Sequence, residues 1–427
     1  MENVNQNEDF EYIKEKMKQR PLNRKKLMRR TVITASMAVI FGVLACFTFL
    51  VLQPVFSNLM NPQEEPEAIE IPEDTNEMLP EDMILNDNKP NQIIINRSEQ
   101  FDPVSAYGEL YNEVARIAQE TSQSIVTVKG VSQDVDWFND EYENTGQTSG
   151  LFVASNSREL LILVDSAIIS TAEEINVTFC DGSVFPATLK ESDINTGLSI
   201  IAVPIDEIGE ETMNAISIAN LGNSRVSTLV GEPVIAIGRP YANTESVAFG
   251  MLTAKNKYVN LSDSNYEILM TDIYGSASAT GIIVDIEGNV LGIIEHAYNP
   301  EDTPNLICAL GISDIKKTIE RMSNGRPRAY LGVTGTDVTK EANETLGVPY
   351  GAYVTGIDMG SPAMNCGIQS GDVIIQLGNT PVTSFRELTD TLISLNPESS
   401  VSVTISRAKG DEYTQVVLEL TLETQKK

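Results

Sequence analysis

The side chains that could carry out hydrolysis through a nucleophile are few in this sequence. Ser276 and Ser278 lie in the Gly/Ser-rich segment 275–281, and a serine hydroxyl becomes a nucleophile only when a base beside it takes its proton. The chain has a single histidine, His296, the residue type that most often serves as that base. His296 follows the apolar run Leu291–Ile294, so we interpret it as a surface residue at a strand end and the two serines as turn residues.

The cysteines do not form a metal or redox motif. The sequence has four, none of them in a Cys-x-x-Cys pair: Cys46, Cys180, Cys308 and Cys366. We interpret them as isolated small apolar side chains, and a disulfide between Cys180 and Cys308 stays open. The sequence therefore predicts neither a metal site nor a cofactor.

Length and charge limit the fold and the partners. A chain of 427 residues suits two or three domains. The net charge is −30, yet residues 1–30 contain nine Lys and Arg against five Asp and Glu, so the negative charge lies in the rest of the chain. A strongly negative field repels nucleic acid, and no nucleic-acid partner is expected.

The N-terminal region predicts a membrane anchor. Residues 31–52 are uncharged and apolar, and as a helix they would extend about 33 Å, enough to cross a bilayer core. The basic residues before them place a tail of residues 1–30 in the cytoplasm and the C-terminal domains outside it, at the cell membrane. A cleaved signal peptide is the alternative, but the apolar run is long and no Ala-x-Ala site follows. Residues 53–104, rich in Pro and acidic side chains, predict a disordered linker.

A mainly β region follows the linker. Short Val/Ile-rich runs alternate with turn residues, which is typical of a β-sandwich or barrel. The predicted strands are Ser124–Val128, Leu151–Ala154, Leu160–Val164, Ile175–Phe179, Leu198–Val203, Pro233–Ile237, Gly250–Ala254, Gly281–Val284 and Val290–Ile294. Asp181-Gly182 and Glu287-Gly288-Asn289 predict hairpin turns. Apolar spacing predicts an entry helix over 105–120 and a connecting helix over Ile312–Met322.

Four ordered blocks of this region resemble the HtrA-type serine proteases. One of them, LGNSRVSTLVGEPVIAIGRPY from Leu221 to Tyr241, is especially similar to its counterpart in that family. The others are Ser124–Val153, Ile175–Val203 and Thr271–Ile294. The resemblance implies a trypsin-like domain over residues 105–325, built of two six-stranded barrels with a cleft between them.

The same resemblance places the family's catalytic triad on side chains that cannot transfer a proton. The histidine, aspartate and serine positions fall at Ala167, Gly197 and Ala279. The nucleophile block is one residue short, so Ser278 is a register alternative, and Ser276 and Ser278 are the residual nucleophile candidates. We therefore expect a pseudoprotease, while an active serine endopeptidase of envelope protein quality control, with a non-standard site, remains the alternative.

Residues 326–427 resemble the PDZ domain of the same family. The marks are Tyr330–Val333, Gly360–Ala363, Gly371–Ile374 and a helix over Phe385–Leu395. PDZ domains bind an extended peptide at a sheet edge, and consecutive backbone N–H groups can form a nest for its terminal carboxylate. The resemblance assigns peptide binding to Tyr330, Leu331, Gly332, Val333, Leu388 and Leu392. For the four aliphatic side chains of this set, ordinary core packing is the alternative.

The expected function is therefore that of a membrane-anchored, catalytically degenerate HtrA-like protein. It would bind peptide or protein C-termini at the cell envelope through its PDZ domain. A structural envelope protein in which neither site binds is a third possibility. The family commonly assembles as trimers, so a homotrimer is a further expectation.

Overall fold

The computed structural model describes most of the chain after residue 102. The described ranges are 67–74, 103–135, 141–242, 245–300, 302–410 and 412–425, together with Met28 and Met37. The chain divides into two compact units, Met1–Glu65 and Pro66–Lys427. Apart from Met28 and Met37, the predicted cytoplasmic tail and membrane segment fall outside the described ranges. Within those ranges no helix has both the length and the apolar character needed to cross a bilayer.

The first barrel is a closed antiparallel sheet. Its strands are β1 (Ile125–Val135), β2 (Glu141–Ser155), β3 (Glu159–Asp165), β4 (Glu174–Thr178), β5 (Val184–Asp193) and β6 (Leu198–Pro204). They are ordered β1-β2-β3-β6-β5-β4. Strands β3 and β6 are nearly continuous apolar runs, which is why both bury almost every residue. Three helices precede or interrupt these strands or follow them: the long α1 (Pro103–Ser122) and the short α2 (Ser166–Ile169) and α3 (Glu210–Ala215).

The second barrel is closed in the same way. Its strands are β7 (Pro233–Arg239), β8 (Ser246–Leu261), β9 (Ser264–Tyr274), β10 (Thr280–Val284), β11 (Val290–Ile294) and β12 (Leu306–Gly311), ordered β10-β11-β12-β9-β8-β7. Leu261 pairs with Ser264, so a two-residue turn, Ser262-Asp263, joins β8 to β9. The predicted double barrel is confirmed, and each predicted strand overlaps an observed one. Strands β5, β9 and β12 were not among the runs named from the sequence, although the predicted Asp181-Gly182 hairpin implies a strand where β5 lies.

Two helices cover the seam of the barrels. Helix α4 (Ile312–Ser323) follows β12 directly and buries the predicted stripe, with Ile315 fully enclosed. Helix α1 buries Val114 in the same apolar cluster, whereas Leu110, expected on the buried face, is exposed. Both predicted helices are confirmed: α1 leads into the first barrel, and α4 leads from the second barrel to the C-terminal domain.

Residues 67–74, called the strap below, pack against α4. Ile69 is buried in the cluster that also holds α4. Its N–H donates to Asn324 Oδ1 at 3.0 Å and its carbonyl accepts from Asn324 Nδ2 at 2.9 Å. The Lys316 ammonium lies 2.6 Å from Asp74 Oδ1. The expectation of a disordered linker therefore does not hold for the strap, because an apolar side chain and an ion pair fix it to the domain.

The C-terminal domain is a sheet with helices on its edges. Its elements are β13 (Ala329–Tyr330), β14 (Val333–Asp337), α5 (Lys340–Leu346), β15 (Ala352–Ile357), α6 (Pro362–Cys366), β16 (Val373–Leu377), β17 (Thr380–Pro381), α7 (Phe385–Ser394), β18 (Ser400–Lys409), β19 (Glu412–Thr421) and β20 (Glu423–Thr424). The main sheet is ordered β14-β15-β16-β18-β19, β17 pairs with β16, and β13 pairs with β20. This domain has its own apolar core, centred on Phe385 and Val403.

The described cysteines are free thiols. Cys180 is exposed, Cys308 is buried and Cys366 is partly buried. The disulfide between Cys180 and Cys308 that the sequence left open is therefore not formed.

Candidate functional site

Two of the three expected triad positions are neighbours in the first barrel. Ala167 lies in α2, directly after β3, where Asp165 caps the helix by accepting the Ala167 N–H at 2.8 Å. Gly197 precedes β6, and its carbonyl accepts the Ser166 N–H at 2.8 Å. The fold thus brings Ala167 and Gly197 together as the resemblance implies, but neither has a side chain that can hold or move a proton.

The third position lines a cavity between the barrels, to which chain neighbours of the other two positions also contribute. Ala279 precedes β10 and lines this cavity of about 230 Å³, together with Asp165 and Leu198. Ser278, Glu295 and other polar groups also line it. Burial, reinforced by the nearby Asp165, raises the pKa of the Glu295 carboxyl. Across the described ranges, no three His, Cys, Asp or Glu side chains are grouped so that they could hold a metal ion.

The two residual serines are bonded to each other. Ser276 Oγ lies 3.3 Å from Ser278 Oγ and accepts the Ser278 N–H at 3.3 Å. Lys255 Nζ donates to the main-chain oxygen of Val226, and Lys257 Nζ to that of Tyr298. Neither lysine is therefore held as a base for these serines, and the serines behave as the turn residues that the sequence predicted.

The single histidine does line the cavity. The expectation of a surface position is wrong, because His296 is half-buried. Its Nδ1 lies 3.0 Å from Asn299 Nδ2, an amide nitrogen that also donates to the main-chain oxygens of Pro304 and Leu306. An amide nitrogen cannot accept a hydrogen bond, so this neighbour favours an unprotonated Nδ1 and, in the neutral ring, a proton on Nε2.

That tautomer is the reverse of the one that a serine nucleophile needs. In acyl transfer, Nε2 takes the serine proton while a carboxylate holds a proton on Nδ1. Here Nε2 is buried and has no hydrogen-bond partner among the described residues. Burial also lowers the pKa of His296. The histidine is therefore poorly arranged to act as a base in this cavity.

A second site lies at the start of β14, where three successive backbone N–H groups converge on one carboxylate. Leu331 N–H donates to Asp263 Oδ2 at 2.7 Å, and Val333 N–H donates to Oδ1 at 2.9 Å. Gly332 N–H lies 3.0 and 2.9 Å from the two oxygens. The backbone can curl in this way because Gly332 adopts a φ of 86°, a left-handed conformation that suits glycine. The segment therefore forms an anion nest.

Asp263 reaches the nest from the turn between β8 and β9 of the second barrel. It is 1% exposed, and its φ of 59° is one that Asp tolerates better than most residues do. Its carbonyl accepts from Arg328 Nη2 at 2.7 Å and from Thr389 Oγ1 at 3.0 Å. Burial raises the pKa of the Asp263 carboxyl, while the donors of Leu331, Gly332 and Val333 and the charge of Arg328 act in the opposite direction.

Comparison with known families matches both folded regions. Residues 148–293 match the family model of the trypsin-like peptidase domain, and residues 329–419 match that of the PDZ domain. The serine endoprotease DegS of Haemophilus influenzae is 29% identical over 289 residues, which cover 66% of this chain and 79% of that protein. The chain therefore has a trypsin-like peptidase domain followed by a PDZ domain, and it is similar to this endoprotease over both regions.

Other HtrA-type proteins show the same likeness. The serine protease Do-like HtrA of Lactococcus lactis subsp. cremoris is 25% identical over 334 residues, covering 72% of this chain and 80% of that protein. A probable periplasmic serine endoprotease, DegP-like, of Hahella chejuensis is 28% identical, and the match covers 58% of its length. The structure of the HtrA-type protease AlgW with a decapeptide superposes with a TM-score of 0.53 at 18% identity, covering 74% of this chain and 99% of that one. This last likeness concerns the fold alone.

The nest coincides with the segment Tyr330–Val333, to which the resemblance assigned carboxylate binding. The four aliphatic side chains assigned to its peptide pocket are 0% exposed and belong to the domain core: Leu331, Val333, Leu388 and Leu392. The Tyr330 hydroxyl donates to Asp358 Oδ2 at 2.8 Å, and burial raises the pKa of Tyr330. Peptide binding by these residues stays a prediction. No sequence pattern pointed to Asp263, which lies 68 residues before Leu331 in an ordinary polar turn.

Proposed function

We propose that this chain is a catalytically inactive HtrA-type protein that binds peptide or protein C-termini through its PDZ domain at the cell envelope. One observation carries the proposal: Leu331, Gly332 and Val333 direct their N–H groups at a single carboxylate. A peptide C-terminus presents the same chemical group, and a loop whose donors are already aligned loses little freedom on binding it.

The cleft supports the inactive half of the proposal. Methyl groups and a glycine stand at the triad positions, so the nucleophile, the base and the orienting carboxylate of acyl transfer are all absent there. The nearby substitutes do not replace them. Ser276 and Ser278 bond to each other, and the Nδ1 of His296 faces an amide nitrogen where a catalytic base would need a carboxylate.

Fluorophosphonate labelling tests this half on the compact unit of residues 66–427. The matched control is the double variant Ser276→Ala/Ser278→Ala, and an HtrA-type protease with an intact triad serves as the positive control. We expect no labelling and no casein cleavage in either form of this chain. Labelling that disappears in the serine variant would show that a nucleophile survives in segment 275–281 and would favour the endopeptidase alternative.

A comparison of free-acid and amidated peptides tests the binding half. Decapeptides that end in Leu, Ile, Val or Phe fit the aliphatic character of the four residues beside the loop. We expect saturable binding of the free acid at high peptide concentration, and at least about tenfold weaker binding of the amide, because amidation removes the charge that the nest receives. Equal binding of both forms would show that the loop is not the site.

Location and assembly belong to the same proposal. The apolar run 31–52 and the basic residues before it support a single-pass anchor with the folded unit outside the cytoplasm. Alkaline carbonate extraction of membranes from cells that express the full chain tests the anchor, since an integral segment stays in the pellet. Light scattering of residues 66–427 tests the homotrimer, with a monomeric mass as the contrary result.

A further inference from the structure

The turn between β8 and β9 occupies the place where a PDZ ligand would end. Both carboxylate oxygens of Asp263 are engaged by the nest, at 2.7 to 3.0 Å. At 1% exposure, the residue leaves no room for a second carboxylate beside it. The three donors that a peptide terminus would need are therefore already used.

The turn also imitates the backbone of a ligand. The Asp263 N–H donates to the Val333 carbonyl at 2.7 Å, so this one residue supplies both a carboxylate and an N–H to the edge of β14. Asn265 Nδ2 reaches the Gly335 carbonyl of the same strand at 3.2 Å. On the other side, Thr389 of α7 bonds to the Asp263 carbonyl. The turn thus lies between β14 and α7, the two elements to which sequence similarity assigned the peptide groove.

Polar contacts outside the nest hold the turn in place. Ser262 Oγ donates to Asp358 Oδ2 at 2.5 Å, and the same oxygen accepts from the Tyr330 hydroxyl. Arg328, itself buried, bonds to the Asp263 carbonyl and to the hydroxyl of Tyr266 at 3.1 Å. An incoming peptide would have to separate these groups as well as replace the carboxylate.

We propose that Asp263 is an internal surrogate ligand that keeps the PDZ site closed, so that a peptide C-terminus binds only by displacing the β8–β9 turn. This inference rests on the proposed function, since it concerns the regulation of the same loop. Two carboxylates cannot share the three N–H donors, and their like charges repel. A peptide can therefore bind only when the turn is released, and a seated turn excludes the peptide.

The closed state lowers the apparent affinity for peptide. When only a fraction of the molecules has a competent site, the apparent dissociation constant rises by the inverse of that fraction. If the turn is seated in about 90% of molecules or more, removal of the Asp263 carboxylate strengthens peptide binding by about tenfold or more.

Two substitutions at one position test the surrogate. Asp263→Gly removes the carboxylate and suits the left-handed φ of 59°, so the turn can keep its backbone path. Asp263→Asn keeps the size of the side chain but removes its charge and places an NH₂ group among N–H donors. The matched control is Asp181→Asn, in the hairpin turn between β4 and β5, where Asp181 accepts from Ser183 N–H and the Thr212 hydroxyl.

The assay is fluorescence anisotropy on residues 66–427 with fluorescein-labelled decapeptides that end in Leu, Ile, Val or Phe, as free acids and as amides. Hydrogen exchange of segment 329–335 reports in parallel whether the nest has lost its acceptor. We expect both Asp263 variants to exchange faster there and to bind the free acid at least about tenfold more tightly than the wild type and Asp181→Asn do.

Each other outcome is decisive. If the wild type and both Asp263 variants bind the free acid equally well, the surrogate is refuted while the proposed function stands. If none of them binds the free acid, including an Asp263→Gly protein whose nest exchanges rapidly, the proposed function fails and the surrogate fails with it.

Discussion

Substitution of Gly332 by Ala should disable the nest for two separable reasons. The φ of 86° at this position is costly for a residue with a Cβ, by roughly 1–2 kcal/mol. An added Cβ would also lie only 2.2 Å from Ser361 Cβ, whereas carbon atoms in ordinary contact are about 3.5–4.0 Å apart. Because the colliding atom is a Cβ, no rotation of the serine side chain relieves the contact.

The magnitude follows from adding the two costs. Overpacking of a tight interior typically costs about 1–3 kcal/mol, so Gly332→Ala should lower the free energy of unfolding of the PDZ domain by about 2–5 kcal/mol in total. Ser361 is 1% exposed and caps α6 by accepting the Met364 N–H at 3.2 Å, so its backbone is not free to retreat. The loop must move instead, and peptide binding should be lost.

Two matched variants separate the costs. Gly371 has a φ of 93° and open space around the position of its Cβ, so Gly371→Ala should show the conformational cost alone. In Gly332→Ala/Ser361→Gly the colliding Cβ is absent, and replacing a serine cap by Gly costs only a few tenths of a kcal/mol. The double variant should therefore recover most of the steric part.

Hydrogen exchange of peptides from the PDZ domain gives the local opening free energy for each variant. The local opening free energy should be highest in the wild type, lower in Gly371→Ala and in the double variant, and lowest in Gly332→Ala. If Gly332→Ala costs no more than Gly371→Ala, close packing against Ser361 does not constrain the loop and the reasoning fails.

The remaining predictions concern the histidine and the strap. The imidazole signals of His296, the sole histidine, should titrate in NMR with a pKa below the ordinary 6.5 because of burial. As the pH falls below 6.5, the unfolded chain takes up the proton before the folded one does. The free energy of unfolding should therefore fall between pH 6.5 and the lower pKa of the folded state. A pKa at or above 6.5 would contradict the buried environment. Asp74→Asn should cost about 3 kcal/mol in urea unfolding, because the Asp74–Lys316 pair is only 5% and 9% exposed. Glu73→Gln, with its side chain 74% exposed beside Lys317, should cost about 0.5 kcal/mol or less, and equal costs for the two variants would refute the claim that burial decides.

Much of the fold was readable from local sequence because its strands are locally distinctive. Strands such as β3 and β6 are nearly continuous apolar runs, and burial follows directly from that composition. Of the strands not named from the sequence, β12 has the same apolar run, LICALG, and was overlooked, whereas β5 and β9 show the signal less clearly. Strand β5 keeps much of its length partly exposed and contains Pro186, and β9 buries a charged side chain, Glu267, at 3% exposure. Their strand character depends on tertiary contacts rather than on pattern.

The candidate site was likewise only partly predictable from the sequence. The nest was predictable because Tyr330–Val333 is a contiguous segment with a glycine at the required position. The occupant was not, because a lone aspartate in a Ser-Asp-Ser turn suits any hairpin. Similarly, the burial of His296 depends on the packing of the two barrels, which the residues around it in the sequence do not reveal.

The strap changes what a cut in the N-terminal region would do. Residues 67–74 are fixed to α4 by Ile69 and by the pair between Asp74 and Lys316, and α1 begins only at Pro103. A protease that cleaved the chain between residues 75 and 102 would break its covalent continuity but not these contacts. Shedding of the folded unit would then need two events, a cut and the later dissociation of an eight-residue segment. The lifetime of that nicked complex, rather than the rate of cleavage alone, would set how long the folded domains stay attached to the part of the chain before the cut.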